Sequence, residues 1–271
     1  MSVIAEMLSY PFLVRALVGG LLVSLCASLL GVSLVLRRYS MIGDGLSHVS
    51  FGALSVALAM GWSPLKVSIP VVVVAAFFLL RITENARVKS DAAIAMISAS
   101  ALAIGIIITS MTTGMTTDVS SYMFGSILAM SREDVMLSVV LSAAVLILFA
   151  VCYHKLFAVT FDENFAKATG VKVDRYNVII AVLTAVTIVL GMRMMGAMLI
   201  SSLVIFPALT SMQVFKSFRG VVLCSGVLSA VCFVLGMTAS YQLSTPAGAS
   251  VVVVNLAAFL LFGAYRMVVR R

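Results

Sequence analysis

Apolar positions along this chain do not alternate with polar ones. They run on in long blocks separated by short polar interruptions, over 13–36, 41–60, 65–80, 92–112, 135–153, 177–192, 194–213, 220–240 and 250–265. A helix rising about 1.5 Å per residue needs about 20 apolar residues to cross a hydrocarbon core. The blocks therefore predict an all-α, polytopic bundle of about nine transmembrane helices. Blocks 65–80 and 177–192 are short and predict broken or tilted spans. Pro207 lies inside 194–213 and predicts a kink or break, because proline removes a helical hydrogen bond and crowds the turn before it. The first block follows Glu6 and Arg15 without a cleavage-site pattern, which reads as a retained span. The longest polar stretch, about 155–176, leaves no room for a soluble domain.

Composition sharpens this picture. The 271 residues are 62% hydrophobic and 10% charged, against roughly 25% charged in a soluble globule. A water-soluble domain, a disordered chain, a disulfide scaffold and a free-standing nucleic-acid binder are excluded together. The net charge of +8 matters through its placement. With the N-terminus outside, the inner ends and loops hold Arg37, Arg38, Arg81, Arg87, Lys89, Lys155, Lys167, Lys172, Arg175, Lys216, Arg219, Arg266, Arg270 and Arg271, and the outer ones Arg15, Lys66, Arg132 and Arg193. Cytoplasmic loops carry the excess of Lys and Arg, so an outside N-terminus and a cytoplasmic C-terminus follow. Cys26, Cys152, Cys224 and Cys232 lie in apolar runs without CxxC spacing and read as free thiols.

Two loops do more than connect. On the outer side, Ser121–Met130 is apolar but too short to span, which suits a re-entrant or an interfacial helix. On the inner side, Asp162 and Glu163 precede Phe165, Ala166 and Ala168–Thr169. Acidic residues at a helix start and Lys167 later suit the helix dipole, and Gly170 is a C-terminal stop. This predicts a short amphipathic helix, lying on the lipid surface or docking a cytoplasmic partner.

Ionisable groups inside a membrane are costly and are functional candidates. Asp44 lies about 9 Å and His48 about 15 Å from Arg38 along a helix, the latter near the midplane of a ~30 Å core. Their i,i+4 spacing puts both on one face. Three readings stand: a buried His–Asp hydrogen bond, a proton relay, or a pair of ligands for Zn²⁺ or Mn²⁺. His154 sits beside Lys155 at a membrane boundary and reads as solvated. Met192, Met194, Met195 and Met198 offer thioethers that suit Cu(I), but methionine is also an ordinary filler of helix interfaces.

These residues carry a resemblance. The stretch RRYSMIGDGLSHVSFGALSVALAM, with Asp44, Leu46, Ser47 and His48, resembles the signature second helix of the permease subunits of bacterial zinc/manganese ABC importers. The segments SDAAIAMISASALAIGI, SSYMFGSILAMSRED, FDENFAKATGV, LISSLVIFPALTS and STPAGAS resemble further blocks of that family, in its order, over nearly the whole chain. The resemblance implies one transmembrane permease domain over 1–271, of the type II ABC importer fold and similar to the membrane subunit of the vitamin B12 importer. It implies a multi-pass protein of the bacterial inner membrane, working as a homodimer with two cytoplasmic ATP-binding subunits and an extracellular solute-binding protein. Asp44 and His48 become ligands of the transported metal. Phe161–Val171 becomes the coupling helix that sits in a groove of the ATPase, with Phe161, Asp162, Glu163, Phe165, Ala166 and Gly170. One departure stands out: many family members carry Asp where this chain has Ser244.

The implied activity is ATP-driven import of a divalent transition metal by alternating access, with the histidine favouring zinc over manganese. No GxxxxGK[ST] P-loop occurs in the chain, so no ATP hydrolysis and no bound cofactor are expected of this subunit itself. The rival reading is a secondary or proton-coupled transporter using Asp44 and His48 as proton carrier, with no ATPase partner. An intramembrane enzyme would need a fuller catalytic set than one histidine and one aspartate.

Overall fold

The computed structural model describes residues 6, 7, 9–85, 90–112 and 132–269. Ten helices follow in order: α1 (Pro11–Leu36), α2 (Ile42–Ala59), α3 (Pro64–Asn85), α4 (Ser90–Met111), α5 (Arg132–Phe161), α6 (Glu163–Ala168), α7 (Val173–Met195), α8 (Ala197–Val214), α9 (Phe218–Leu243) and α10 (Ala247–Val269). No strand occurs among the described residues. Eight helices are long and apolar enough to cross a membrane, and the Pro64–Leu79 part of α3 is a shorter apolar helix beside them. The chain is thus a multi-pass membrane protein. The outer segment Ser121–Met130 lies outside the described residues.

Three expectations about these helices need revision. The block 177–192 is not short: α7 runs 23 residues and is the most enclosed span. α8 continues through Pro207 without a break. A proline deprives only one carbonyl of its partner, that of Leu203, and close packing on other helices holds the rest of the ladder in line. α5 extends well past residue 153, to Phe161. At about 1.5 Å per residue its 30 residues span about 45 Å, against ~30 Å of hydrocarbon, so one end stands clear of the membrane core.

The bundle is layered around α1 and α7. α7 has 78% of its most apolar stretch buried, whereas α10 has 17% and turns its surface outward, as do α4 and α5. α1 packs on α5, α7, α8 and α9. Its contact with α9 is polar: Ser225 Oγ donates to the Ser28 carbonyl (3.2 Å) and Ser229 Oγ to the Ser24 carbonyl (3.0 Å). All four serines are fully buried. Small residues let membrane helices approach until such bonds form. α1 meets α8 where Gly31 lies under the Val204 carbonyl, with no room for a methyl group.

Three of the four clustered methionines are packing material, and Met198 is exposed. Met192, Met194 and Met195 are buried, and Met194 and Met195 fill the hollows left by Gly19 and Gly20 on α1. A single residue, Gly196 (φ +88°), separates α7 from α8, a backbone conformation that glycine supplies without steric cost. All four cysteines are free. Ser244 caps α9 in the left-handed region (φ +51°), which Asp tolerates better than most side chains. An aspartate at this position would therefore also suit the turn.

Candidate functional site

α2 carries the intramembrane polar pair. The turn before it is tight: Arg37 caps α1, Arg38 adopts φ +63°, and the Tyr39 N–H donates to the Leu34 carbonyl (2.8 Å). Ile42 then starts α2, placing Asp44 in its first turn. The helical period brings His48 back over Asp44, with Nε2 3.7 Å from Oδ2. His48 is largely enclosed (15% of its side chain exposed), while Asp44 is open (45%). An open carboxylate beside a sheltered imidazole offers one oxygen and one nitrogen donor, a set that suits a borderline divalent cation.

The pair is held between two other helices. Gly43 faces Ser201 and Val204 of α8, and Gly45 faces Ile94 of α4. Further along, Gly52 lies under the Ala101 carbonyl of α4, and Gly105 of α4 lies against Phe51 and Gly52. α2 and α4 therefore touch backbone to backbone, which fixes the position of the site helix. Among the described residues, no group of three or more His, Cys, Asp or Glu side chains comes together. His154 is exposed and stands edge-on to Tyr153 on α5.

The inner loop forms a second candidate site. Phe161 ends α5, and Asp162 breaks the helix in an extended conformation (φ −152°). The Asp162 carboxylate accepts the Phe165 N–H (2.9 Å), capping α6. At the other end the Val171 N–H donates to the Ala166 carbonyl (3.0 Å) around Gly170, whose φ of +81° needs glycine. The predicted helix over 161–171 is thus the six residues Glu163–Ala168 with a cap on each side.

Its side chains divide differently from the expected single apolar face. Phe165 points outward (64% exposed), whereas Ala166 is buried against Val159 and Val173. Ala166 therefore anchors α6 to its own bundle and offers nothing outward. Phe161 is exposed but rests on Phe157 and Phe218, with ring centroids 4.9 and 5.9 Å away. Because Asp162 interrupts the helix, Phe161 and Phe165 are not an i,i+4 pair on one helix.

Glu163 also turns inward. Its carboxylate pairs with Arg37, the last residue before the turn into α2. Arg37 also donates to Asn177 Oδ1 (2.9 Å), and Asn177 Nδ2 donates to Glu163 Oε1 (3.4 Å). Arg37 and Asn177 were invisible as site residues in sequence. Arg37 reads there as one more inner-side charge and Asn177 as the start of a span, and they lie 140 positions apart. No local spacing links them.

Residues 9–266 match the ABC 3 transport family. The chain is 30% identical over 252 residues to the manganese import system permease protein ScaB of Streptococcus gordonii, covering 93% of this chain and 90% of that one. It is 27% identical over 255 residues to the high-affinity zinc uptake system membrane protein ZnuB of Haemophilus influenzae, covering 93% and 97%. Among solved structures, PsaBC from Streptococcus pneumoniae in complex with Fab holds a chain similar at a TM-score of 0.84 and 31% identity, over 96% of this chain and 95% of that one. An ABC transporter in an inward-facing conformation shares the fold at a TM-score of 0.75 and 16% identity, over 93% and 86%.

Proposed function

The chain belongs to the ABC 3 transport family, with permeases of manganese and zinc import among its relatives, and from that premise we propose that it moves zinc or manganese ions inward through the bacterial inner membrane, driven by ATP hydrolysed in a separate subunit. The observation that carries this reading is the Asp44–His48 pair, an oxygen and a nitrogen donor 3.7 Å apart on one apolar helix. In this reading the inward-moving ion meets the sheltered His48 first and leaves past the open Asp44, which lies nearer the cytoplasmic end of α2. Two donors from one chain make an incomplete shell. The remainder comes from water or from a second copy of the chain, since zinc prefers four ligands. A loose shell suits a transporter, which must release what it binds.

The assembly proposed with this function is a homodimer with two cytoplasmic ATP-binding subunits and an extracellular solute-binding protein. The N-terminus is outside and the C-terminus inside. α6 docks on the ATPase through Phe165, whose exposure and capped, fixed position suit a groove-filling anchor. ATP-driven closure of the partner moves α6, and the bundle opens the Asp44–His48 pair to one side and then the other.

The test is uptake of radioactive zinc and of manganese by a strain lacking its own permease, with membrane abundance measured in the same cells. Asp44→Ala and His48→Ala are each expected to abolish uptake at normal abundance. A pair serving only to hold helices together would instead lower abundance, because a buried partner is left unpaired. Wild-type uptake in His48→Ala refutes the assignment. Separate rescue by zinc, manganese and iron identifies the ion.

A further inference from the structure

The polar cluster between α6 and the α1–α2 corner connects the two candidate sites. Arg37 is nearly enclosed, with 7% of its side chain exposed, and holds Glu163 of α6 and Asn177 of α7 at once. Its guanidinium also lies 5.7 Å from the Tyr39 ring centroid, inside the turn that leads into α2. Arg37 thus belongs to a closed corner, and Asp44 is seven residues further on, in the first turn of α2.

The rest of α6 is weakly attached. Six residues are too few for a helix to be stable alone. Ala166 is its single buried side chain. Asp162 on one side is extended, and Gly170 on the other has a left-handed backbone with open space around it. Both flanks are hydrogen-bonded caps that interrupt the helix, so neither continues α6 as a rigid rod into α5 or α7. The side-chain contacts of α6 with the bundle are therefore the direct route for a push on it.

We propose that Arg37 and Glu163, braced by Asn177, are positioning residues that form the strut by which movement of α6 reaches the α1–α2 corner and the Asp44–His48 pair. The inference rests on the ATP-driven reading given above. A charged pair suits this task better than an apolar contact of similar size. It is directional and resists both tension and shear, and although the Glu163 side chain is 30% exposed, the enclosed Arg37 cannot exchange it for water without cost. Asn177 can serve either polarity, because its amide donates from one atom and accepts at the other.

The experiment uses the whole transporter, permease with its ATPase and binding protein, in proteoliposomes. It reads ATP hydrolysed, and radioactive zinc and manganese accumulated, from the same vesicles. The strut predicts that Glu163→Gln keeps the ATPase bound and hydrolysing while ions moved per ATP fall about tenfold, within the range seen for changes along connecting networks. The exchange Arg37→Glu with Glu163→Arg restores the ratio. A cluster that only fastens α6 in place lowers complex yield and leaves ions per ATP unchanged in the complexes that remain. That result, or a wild-type ratio in Glu163→Gln, overturns the proposal. If Glu163→Gln does not reach the membrane, the exchanged pair decides. Recovery of yield and ratio together supports the strut, and recovery of yield alone overturns it. The underlying reading is judged on the unmodified complex, whose failure to import any metal with ATP would remove it independently.

Discussion

Gly52 lies one turn beyond His48, where α2 crosses α4, and alanine there tests whether the site helix is held by backbone contact. A methyl group on Gly52 would stand 2.8 Å from the Ala101 carbonyl oxygen and 3.4 Å from its carbon. These are main-chain atoms and cannot swing aside, so the two helices must separate by about half an ångström. A gap of that size forfeits roughly a quarter of the dispersion energy of each facing atom pair, and overpacking of this kind costs typically about 1–3 kcal/mol. Alanine returns about 0.5–1 kcal/mol through helix propensity. The expected net loss is about 0–2.5 kcal/mol, centred near 1 kcal/mol, which corresponds to a fall of roughly 2–4 °C in the thermal midpoint. Gly226→Ala is the matched control. Its added carbon meets only the flexible tips of Leu29 and Leu25 at 3.5 and 3.8 Å, so propensity should leave it neutral or slightly stabilised. The assay is thermal unfolding of the purified protein in detergent, with metal uptake measured in cells. Gly52→Ala should lower both, because the displaced helix carries Asp44 and His48. A midpoint for Gly52→Ala equal to that of Gly226→Ala would refute backbone contact as the constraint on α2.

Other regions give direct tests. Phe165→Ala should leave the permease folded, since the ring is largely exposed, but should weaken recovery of the ATPase by about 2 kcal/mol, roughly 30-fold in affinity; unchanged co-purification would remove Phe165 as an anchor. Replacing Ser225 and Ser229 by alanine should cost about 0.6 kcal/mol per interhelical bond, read as a small, additive fall in thermal midpoint. A fall well beyond the sum would show that α1 and α9 are coupled through more than these two bonds. A reporter enzyme fused after Arg271 should register on the cytoplasmic side, and a signal from the outside would reverse the proposed topology.

What could be seen in the sequence is what is local. The apolar blocks are visible because a span is one continuous run, and each of the nine has its helix. Asp44 and His48 are visible as a pair because four residues bring a helix once round. Helix ends are harder to see, since hydropathy marks where lipid ends and not where hydrogen bonding ends. α5 therefore outruns its apolar block and stops only where Asp162 turns to cap the next helix. The inner loop misled in the same way. Phe165 and Ala166 are both apolar, yet they lie on opposite sides of α6, one outward and one against Val173. Pro207 showed its local cost but not the neighbours that offset it. The Arg37–Glu163 pair spans 126 positions and depends on how α1, α6 and α7 meet, which no pattern within any one of them encodes.

The serines of α1 have a consequence for how the protein is made. α1 leaves the ribosome well before its partner α9, which is complete only about two hundred residues later. At roughly 5–20 residues per second, α1 waits for about 10–40 s. During that interval the faces of Ser24 and Ser28 have lipid or translocon beside them where α9 will later lie. An unsatisfied hydroxyl there would favour retention or turnover of the nascent chain. Ser24 Oγ donates to the Leu21 carbonyl (2.9 Å) and Ser28 Oγ to the Leu25 carbonyl (3.0 Å), both within α1. The carbonyls of Ser24 and Ser28 are the ones that later accept from Ser229 and Ser225, and each has a second lone pair to give. α1 can thus persist through synthesis with the Ser24 and Ser28 hydroxyls already satisfied, and still has acceptors ready when α9 arrives.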